Sequence, residues 1–405
     1  MSTILFVCNR YHPYVGGIET FLTEFGARLI GEGFHVKVLT RRCPEGLPSF
    51  EEYRGIQIWR VGTCAGEDTK SATEGQLMEL VREVNDSLET LRADVIHVVG
   101  IRKPLPLFAL MLSRLWRVPL IVTPGGGDLP DAENPLAIQV WSSGRDLVEP
   151  VLREAECVTA FSRYSAGVLK SVTTGMRRMR VVYAGIDTSF FRDAPPFPSD
   201  DPYILSLRRL DDPSKGVDLL VEAFNLITAR YPRLRLWIAG TGREETRLRR
   251  LVEAHGLAPF VRFLGNVTLA KAASLLKSAE LTVVPSRSEA GGLVNIEAQA
   301  AGCPVVASRV GGIPEYVREG VSALLFESGN YHDLAGTMTR ILDDGALRDC
   351  LVENGYEFAR AFDWEHLDAQ YLYEYALAQS ASNSATPFRP WSETALRLWT
   401  ALGGR

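Results

Sequence analysis

The chain has 405 residues, of which 46% are hydrophobic and 23% charged, and its formal net charge is −5. This balance is typical of a globular protein and argues against a disordered chain and against a nucleic-acid binder. A chain of this length exceeds one ordinary hydrophobic core, so two domains are expected.

The cysteines are widely spaced and form no C-x-x-C pair. This pattern favours a reducing compartment and argues against a disulfide framework or a zinc site. The apolar run at the N-terminus is too short for a signal peptide, and no segment approaches the roughly 18 apolar residues of a membrane span. We therefore expect a cytoplasmic protein.

Short apolar runs separated by helical patterns fill the first part of the chain. The strands predicted there are 3–8, 35–40, 56–61, 94–99, 119–123 and 157–161. The segment 16–33 has helical spacing and ends in glycine. Continuous apolar strands that alternate with helices indicate a parallel sheet covered on both faces.

The segment 187–202 is rich in proline and aspartate and has no periodicity, which predicts a linker. Beyond it the pattern resumes, with predicted strands at 203–207, 234–240, 261–265, 281–285, 304–308 and 323–326. The sequence thus predicts an α/β protein with two doubly wound, Rossmann-like domains facing across a cleft. These domains would comprise residues 1–187 and 202–362, with the cleft as the natural ligand site.

Two glutamates, Glu289 and Glu297, flank a glycine pair in the segment EAGGLVNIE. Glu289 is expected in the loop after a strand, and Glu297 one turn into the following helix. Gly291 and Gly292 would lie at the N-terminus of that helix, where amide groups and the helix dipole favour an anion. Since carboxylates accept hydrogen bonds from vicinal hydroxyls, the expected ligand carries both phosphates and diols, as a sugar nucleotide does.

Basic side chains are expected at the same edge of the sheet. The loop SLRRLDDPSKG (206–216) supplies Arg209 and Lys215, while Gly16 and Gly17 offer backbone amides from the first domain. The stretch AGTGRE (239–244) begins like a dinucleotide fingerprint but is followed by a glutamate where a small residue is needed. That difference argues against a nicotinamide oxidoreductase.

These motifs together resemble the retaining, nucleotide-sugar-dependent glycosyltransferases of the two-domain GT-B architecture, often called family 4. The strongest match is PSRSEAGGLVNIEAQAAGCPVVASRVGGIPEYV (285–317). YAGIDTSFF (183–191), RRLDDPSKG (208–216) and VGGIE (15–19) resemble further family motifs, so the resemblance covers most of the chain.

The resemblance implies roles for the matched residues. Glu289 would hydrogen-bond the transferred sugar and Glu297 the ribose hydroxyls, while Arg209 and Lys215 would neutralise the departing diphosphate. The catalytic residues would then be Glu289, Arg209 and Lys215. The residues implied to bind the donor are Gly16, Gly17, Arg209, Lys215, Val261, Gly265, Glu289, Gly291, Gly292, Leu293 and Glu297, with 261–265 bordering the base.

The implied reaction is the transfer of a hexosyl group, with retained anomeric configuration, from a UDP- or GDP-linked sugar to a hydroxyl acceptor. The acceptor would be a glycan, a glycolipid or a small glycoside, as in polysaccharide biosynthesis. Fixed cations and helix amides can stabilise a departing diphosphate, and the chain has no D-x-D pattern, so we expect no metal and no further cofactor. No carboxylate nucleophile can be identified, which favours a front-face mechanism.

Two departures from the family pattern concern the sugar pocket. The family usually has a histidine after the strand that corresponds to 119–123, whereas this chain has TPGGGDLP (123–130). Either Asp128 or a backbone amide of 125–127 replaces it, or the loop only shapes the acceptor side. Gly291 stands where the family more often has an aromatic residue.

The histidines show no metal-ligand spacing. His97 is expected to be a hydrogen-bonded structural residue. His12, which is close in sequence to the Gly16–Gly17 loop, is the better functional candidate.

The C-terminal part begins with a predicted helix at 363–380, which in this architecture joins the first domain. Residues 381–405 form a polar linker and a short tail whose apolar residues lie on one helical face. The tail would dock on the protein itself or on a second subunit, or give a weak foothold at the inner membrane face.

Two rival functions remain open at the level of sequence. The missing histidine would fit a non-catalytic sugar-nucleotide-binding protein, which binds the donor without turnover. A sugar-nucleotide epimerase on the same architecture would change the donor with no acceptor present.

Overall fold

The computed structural model describes residues 2–14, 16–43, 46–63, 74–102, 104–131 and 134–381. The predicted tail at 382–405 lies outside these residues. Two β-sheets dominate the described part, one on either side of the predicted linker. The fold is therefore the expected pair of Rossmann-like α/β units.

The first sheet has the strand order β3-β4-β2-β1-β5-β6-β7-β8. Its strands are β1 Thr3–Val7, β2 His35–Arg42, β3 Phe50–Tyr53, β4 Ile56–Thr63, β5 Val95–Val99, β6 Leu120–Thr123, β7 Cys157–Ala160 and β8 Met179–Val181. Its neighbouring strands are parallel, except that β3 pairs antiparallel with β4. The sequence did not predict β3 or β8.

The second sheet has the order β11-β10-β9-β12-β13-β14 and is parallel throughout. Its strands are β9 Tyr203–Leu207, β10 Arg235–Ala239, β11 Val261–Gly265, β12 Leu281–Val284, β13 Val305–Ser308 and β14 Leu324–Phe326. Each lies within a residue or two of its prediction.

Helices connect the strands and cover the sheets. They are α1 Gly17–Gly31, α2 Glu74–Asp86, α3 Leu88–Leu91, α4 Leu105–Trp116, α5 Pro135–Glu154, α6 Arg163–Val172, α7 Thr188–Arg192, α8 Val217–Thr228, α9 Glu245–Ala254, α10 Leu269–Ser278, α11 Leu293–Ala301, α12 Tyr331–Asp343, α13 Gly345–Arg360 and α14 Trp364–Ala381. Helix α7 occupies the start of the predicted linker, because Asp187 caps it by accepting a hydrogen bond from the amide of Phe190 (2.9 Å).

The alternation of side chains along β1 shows how the sheets are buried. Ile4 and Phe6 pack in one apolar cluster, whereas Leu5 and Val7 pack in another on the opposite face. All four are fully buried, as the continuous apolar pattern predicts. The cluster of Ile4 and Phe6 continues into the second sheet, so the two halves share part of their core.

The C-terminal helix returns to the first sheet. Trp364 at its start stacks on Phe25 of α1, with ring centroids 5.2 Å apart. Gly185, in the segment between the sheets, allows this contact, because a Cβ there would lie 2.6 Å from the indole of Trp364. Further along α14, the hydroxyl of Tyr375 hydrogen-bonds with the ring of His97 on β5 (2.7 Å).

The cysteines differ from the expectation at one position. Cys8, Cys157, Cys303 and Cys350 are free thiols, and the first three are buried. Cys43, by contrast, is in a disulfide. None of the described helices combines the length and apolar character needed to cross a membrane.

Candidate functional site

A cavity of about 380 Å³ lies between the two sheets. Its wall includes residues that follow β1, β5 and β6 in the first sheet and β9, β10 and β12 in the second. The carboxyl edge of the strands is where open α/β sheets bind ligands. Nine of the predicted site residues line it: Gly16, Gly17, Arg209, Lys215, Glu289, Gly291, Gly292, Leu293 and Glu297.

The N-termini of two helices meet this cavity, one from each sheet. Gly17 and Leu293 are the first residues of α1 and α11, and Gly16 and Gly292 precede them. The first amides of a helix have no partner within it, and the helix dipole places positive charge there. Two such termini in one cavity favour a ligand with more than one negative charge.

Glu289 is held on the cavity wall by two cations. Its Oε2 accepts hydrogen bonds from the guanidinium of Arg208 (2.5 Å) and from Nζ of Lys215 (3.1 Å). Burial alone would raise the pKa of Glu289, but Lys215 and Arg208 outweigh burial and lower it to about 2. The carboxylate is therefore charged throughout the neutral range.

Positive charge exceeds the negative charge of that one carboxylate. Burial lowers the pKa of Lys215, and although Glu289 opposes this effect, Arg208 and Arg209 reinforce it. Crowded cations of this kind are stabilised by a further anion, since each would then gain an opposite charge nearby. The half-exposed Arg209 also donates to the hydroxyl of Tyr14 (3.2 Å) in the first half of the chain and lies 3.8 Å from Asp211.

Sequence reasoning missed Arg208. Arg208 is buried and donates hydrogen bonds to Glu289 and to the hydroxyl of Ser286. The sequence analysis named only the neighbouring Arg209. Both arginines line the cavity. The preceding strand, β9, is buried on both faces, so its sequence has no alternation of polar and apolar residues. Such an alternation would have indicated which of the two arginines points inward.

Two glycines allow the backbone to pack closely beside these cations. Gly216 follows Lys215 with φ of +68°, and a Cβ there would lie 1.8 Å from the carbonyl oxygen of Pro285. Gly240, in the AGTGRE stretch, has φ of +129°, and its Cβ would lie 1.9 Å from the carbonyl oxygen of Arg208. Only glycine fits either position.

The main chain next to Glu289 is fixed by both halves of the protein. The carbonyl of Glu289 accepts from the amide of Gly312 (2.8 Å). The carbonyl of Ala290 accepts from the hydroxyls of Ser162 and Ser165, at the start of α6. The position of the carboxylate is therefore determined by backbone contacts as well as by its ion pairs.

The loop in which the family has a histidine is organised by Asp128. Its Oδ2 accepts from the amides of Gly125 (2.8 Å) and Ile101 (2.9 Å), and its Oδ1 from Nε of Arg102 (3.1 Å). Asp128 and the amide of Gly125 were both considered as replacements for the histidine, and the structure shows them hydrogen-bonded to each other. Gly126 lies close to the loop that follows β12, since a Cβ on Gly126 would lie 3.0 Å from the Cβ of Ala290.

Tyr316 occupies the space beside Gly291. A Cβ on Gly291 would lie 3.3 Å from the hydroxyl oxygen of Tyr316 and 3.4 Å from its ring. Tyr316 is fully buried and donates to the carbonyl of Phe161 (2.7 Å). An aromatic side chain at position 291 would have to displace it.

Glu297 lies one turn into α11, as predicted, and is buried against the cavity. Burial raises the pKa of Glu297 to about 7, and the charge of Arg208 opposes this only in part. The carboxyl group therefore takes or loses a proton near neutral pH.

The two residues predicted to border the base lie outside the cavity wall. Val261 begins β11 and Gly265 ends it, whereas Asn266 and Val267, which come next, line the cavity. The side chain of Asn266 accepts from the hydroxyl of Thr241 (3.0 Å). The cavity is thus reached by the loop after this strand.

The two singled-out histidines have different positions. His97 is fully buried and hydrogen-bonded to Tyr375 and Thr123, as predicted for a structural residue. His12 is absent from the cavity wall; its ring stacks on that of Tyr53 (3.8 Å) and lies 3.9 Å from Glu51. Within the described ranges, no group of three or more His, Cys, Asp or Glu residues could hold a metal ion.

Two Rossmann-like units that face each other across such a cavity form the GT-B arrangement, and known structures share this fold. A sucrose-phosphate synthase from Thermosynechococcus elongatus has a TM-score of 0.77 and 24% identity, with 94% of this chain and 100% of that one covered. Anabaena HepE, in complex with UDP and glucose, has a TM-score of 0.72 and 22% identity over 95% of this chain and 100% of that one.

The chain belongs to the glycosyl transferases group 1 family. The model described as "Glycosyl transferases group 1" matches residues 187–358, and that of the "Glycosyl transferase 4-like domain" matches residues 16–185. A D-inositol 3-phosphate glycosyltransferase from Nocardioides sp. is 30% identical, over 91% of this chain and 87% of that protein. One of the same description from Geodermatophilus obscurus is also 30% identical, over 96% and 90%.

Proposed function

We propose that this glycosyltransferase moves a hexosyl group from a nucleoside diphosphate sugar to a hydroxyl acceptor, with retained configuration and without a metal ion. The observation that carries this proposal is one cavity lined by two helix N-termini and by Arg209 and Lys215. Such an arrangement suits a diphosphate, because amides and cations approach it from both sides.

The donor fits the cavity as follows. The diphosphate lies between the α1 and α11 termini, the sugar near Glu289, and the ribose near Glu297. The base lies towards Asn266 and Val267, which line the cavity. The base is therefore placed beside the loop after β11 instead of beside 261–265. UDP and GDP remain the expected carriers, and UDP is tested first because the HepE structure holds it.

Catalysis in this proposal is electrostatic. As the bond between the anomeric carbon and the diphosphate breaks, negative charge grows on the leaving oxygens, and Lys215 and Arg209 neutralise it. The hydrogen bonds that fix Glu289 use its Oε2, which leaves Oε1 to accept from a sugar hydroxyl. The acceptor hydroxyl attacks from the face that the diphosphate leaves, which retains the configuration, and its proton passes to a leaving oxygen.

The cellular setting is proposed from the resemblance. The acceptor is a glycan, a glycolipid or a small glycoside, and the protein works in the cytoplasm or at the inner membrane face. Residues 1–187 with α14 form the acceptor-side domain, and residues 202–362 bind the donor. No cofactor beyond the donor substrate is needed in this scheme.

The first test is calorimetric titration of the protein with UDP, GDP and ADP in buffer that contains EDTA. Tight binding of one nucleotide, weakened by Glu297→Gln but not by Glu253→Gln on the exposed face of α9, supports the donor site. No binding of any nucleotide contradicts it.

Turnover of the matching donor sugar then separates the rivals. Product with the same anomeric configuration, formed only when an acceptor is present, supports a retaining transferase. Binding without turnover over a broad acceptor set indicates a non-catalytic protein, and a changed donor in the absence of acceptor indicates an epimerase.

A further inference from the structure

The hydroxyl of Tyr14 links the two halves of the protein beside the cavity. Tyr14 lies in the loop after β1, whereas Arg209 and Asp211 lie in the loop after β9. The hydroxyl accepts a hydrogen bond from Nη1 of Arg209 (3.2 Å) and donates one to Oδ2 of Asp211 (3.2 Å). Arg209 lines the cavity and Tyr14 does not. Tyr14 is therefore connected to the proposed donor site through Arg209.

The ring of Tyr14 is held by packing. The guanidinium of Arg10 lies over it, with its central carbon 4.9 Å from the ring centroid. The stem of Arg209 runs beside Gly16, since a Cβ on Gly16 would lie 3.7 Å from Cδ of Arg209. The hydroxyl therefore has a defined position, and a phenylalanine in place of Tyr14 would keep the ring contact while losing both hydrogen bonds.

Asp211 is a competing partner for the guanidinium of Arg209. Nη1 of Arg209 and Oδ2 of Asp211 are 3.8 Å apart, which is too far for a hydrogen bond. A guanidinium and a carboxylate in direct contact would be about 2.8 Å apart. The hydroxyl of Tyr14 bonds both of these atoms and so takes the place of a direct ion pair. The bond to Tyr14 uses one N–H group, and a guanidinium has further N–H groups to offer a ligand.

We infer that Tyr14 is a positioning residue: its hydroxyl prevents Arg209 from pairing with Asp211 and directs the guanidinium towards the departing diphosphate. This inference rests on the proposed function, which assigns Arg209 to the leaving group. Because Tyr14 and Arg209 belong to different halves, the guanidinium is held in this way only while the halves are in contact. Negative charge on the diphosphate grows in the transition state, so losing the hydroxyl lowers turnover more than nucleotide affinity.

The test compares Tyr14→Phe with the wild type as full-length proteins. UDP-glucose is the donor and glucose the added acceptor, the release of UDP is followed, and calorimetry gives the Kd of UDP. GDP-mannose and GDP replace them if the protein binds GDP. The kcat of Tyr14→Phe should fall roughly tenfold to hundredfold, as loss of a hydrogen bond to a charged group does. The Kd should change by less than about threefold, which also shows that the variant is folded.

Tyr53→Phe is the matched control and should keep the kcat of the wild type. Tyr53 belongs to the same half, and its ring stacks on that of His12. Its hydroxyl pairs with no side chain among the residues that the structure describes. The two variants thus lose the same chemical group, and only one of them loses a contact with Arg209.

Double variants show whether Tyr14 acts through Arg209. If it does, adding Tyr14→Phe to Arg209→Gln should lower kcat by less than about twofold, because the hydroxyl then has no guanidinium to position. Adding Asp211→Asn to Tyr14→Phe should restore kcat by roughly two- to fivefold, because a neutral amide holds the half-exposed guanidinium less strongly than a carboxylate does. A general structural role would give the same loss in both backgrounds and no recovery with Asp211→Asn.

The outcomes separate this inference from the proposed function. A loss of kcat in Tyr14→Phe that disappears in the Arg209→Gln background and is partly restored by Asp211→Asn supports the inference. If Tyr14→Phe keeps the wild-type kcat, loses as much in both backgrounds, or does not recover with Asp211→Asn, the inference is wrong and the donor site stands. If Arg209→Gln itself keeps the wild-type kcat, the role of Arg209 in the proposed function fails together with this inference. Absence of nucleotide binding, or of turnover by the wild type with either donor, overturns both.

Discussion

Glu289 and Glu297 line the same cavity, yet their carboxyl groups have opposite pKa shifts. The pKa of Glu289 is lowered to about 2, because Lys215 and Arg208 overcome the effect of burial. The pKa of Glu297 is raised to about 7, because burial there meets only the opposing charge of Arg208. One glutamate is therefore a fixed anion and the other a group that titrates near neutral pH.

The first prediction concerns stability. Folding raises the pKa of Glu297, so the folded protein binds a proton more tightly than the unfolded chain, and stability falls as pH rises through the window from about 4.5 to about 7. Glu297→Gln removes this loss and should raise the free energy of unfolding by about 3 kcal/mol at about pH 8, with little effect at about pH 4. Urea unfolding of the nucleotide-free protein at both pH values measures it. An equal effect at both would show that the carboxyl group does not ionise in this range.

The second prediction concerns protons released on nucleotide binding. Ribose hydroxyls that donate to Glu297 favour its charged form, so binding should lower its pKa and release about half a proton at about pH 7. Calorimetry in buffers of different ionisation enthalpy counts the protons. The wild type should release more protons than Glu297→Gln. Protons released from the nucleotide's own phosphate are the same for both proteins and cancel in this difference. Equal release by the two proteins would place the ribose elsewhere.

The third prediction concerns Glu289. Glu289→Gln should lower kcat by roughly 100- to 1000-fold if Oε1 bonds the sugar in the transition state. The Kd of the free nucleoside diphosphate should stay similar or fall, because Arg208 and Lys215 then lack their carboxylate and remain available to phosphate. Steady-state kinetics and calorimetry on the same samples separate the two effects. If Glu289→Gln raised the Kd of the nucleotide and left kcat unchanged, the roles assigned to Glu289 and Glu297 would be reversed.

The sequence predicted the fold where burial dominates. Strands such as β1 and β9 are continuous apolar runs and were located within a residue. β3 was missed because its sequence, FEEY, is polar and half exposed, and β8 because only three of its residues pair at the sheet edge. Neither leaves an apolar run long enough to recognise.

The candidate site was only partly predictable. Glu289, Lys215 and the helix termini follow from one motif and one loop. Arg208 and Asp128 could not be assigned from sequence, because their roles depend on contacts between loops that follow different strands.

The fourth prediction tests how Lys215 is positioned. Gly216→Ala should lower turnover, because its Cβ would collide with the carbonyl of Pro285 and displace the loop that carries Lys215. Gly256→Ala is the matched control: its φ of +66° is nearly that of Gly216, but a Cβ there meets open space. Both variants should lose stability from the positive φ, Gly216→Ala should lose more because of the collision, and only Gly216→Ala should also lose activity. Equal activity of the two would mean that the loop adjusts without moving Lys215 from its place.

The fifth prediction concerns the docking of α14 on the first sheet. Burial lowers the pKa of His97 to about 3, so its ring is neutral, and one nitrogen pairs with Tyr375 while the other pairs with Thr123 (2.6 Å). Tyr375→Phe would leave a buried ring nitrogen without a partner and should cost about 1 to 3 kcal/mol in the free energy of unfolding. Tyr331→Phe on α12 is the control, because Tyr331 is only partly buried and its hydroxyl pairs with no side chain among the residues that the structure describes. Nucleotide affinity should be the same in both variants, because neither tyrosine lines the cavity. An unchanged stability for Tyr375→Phe would show that packing of the aromatic rings, rather than this buried hydrogen bond, holds α14 against the sheet.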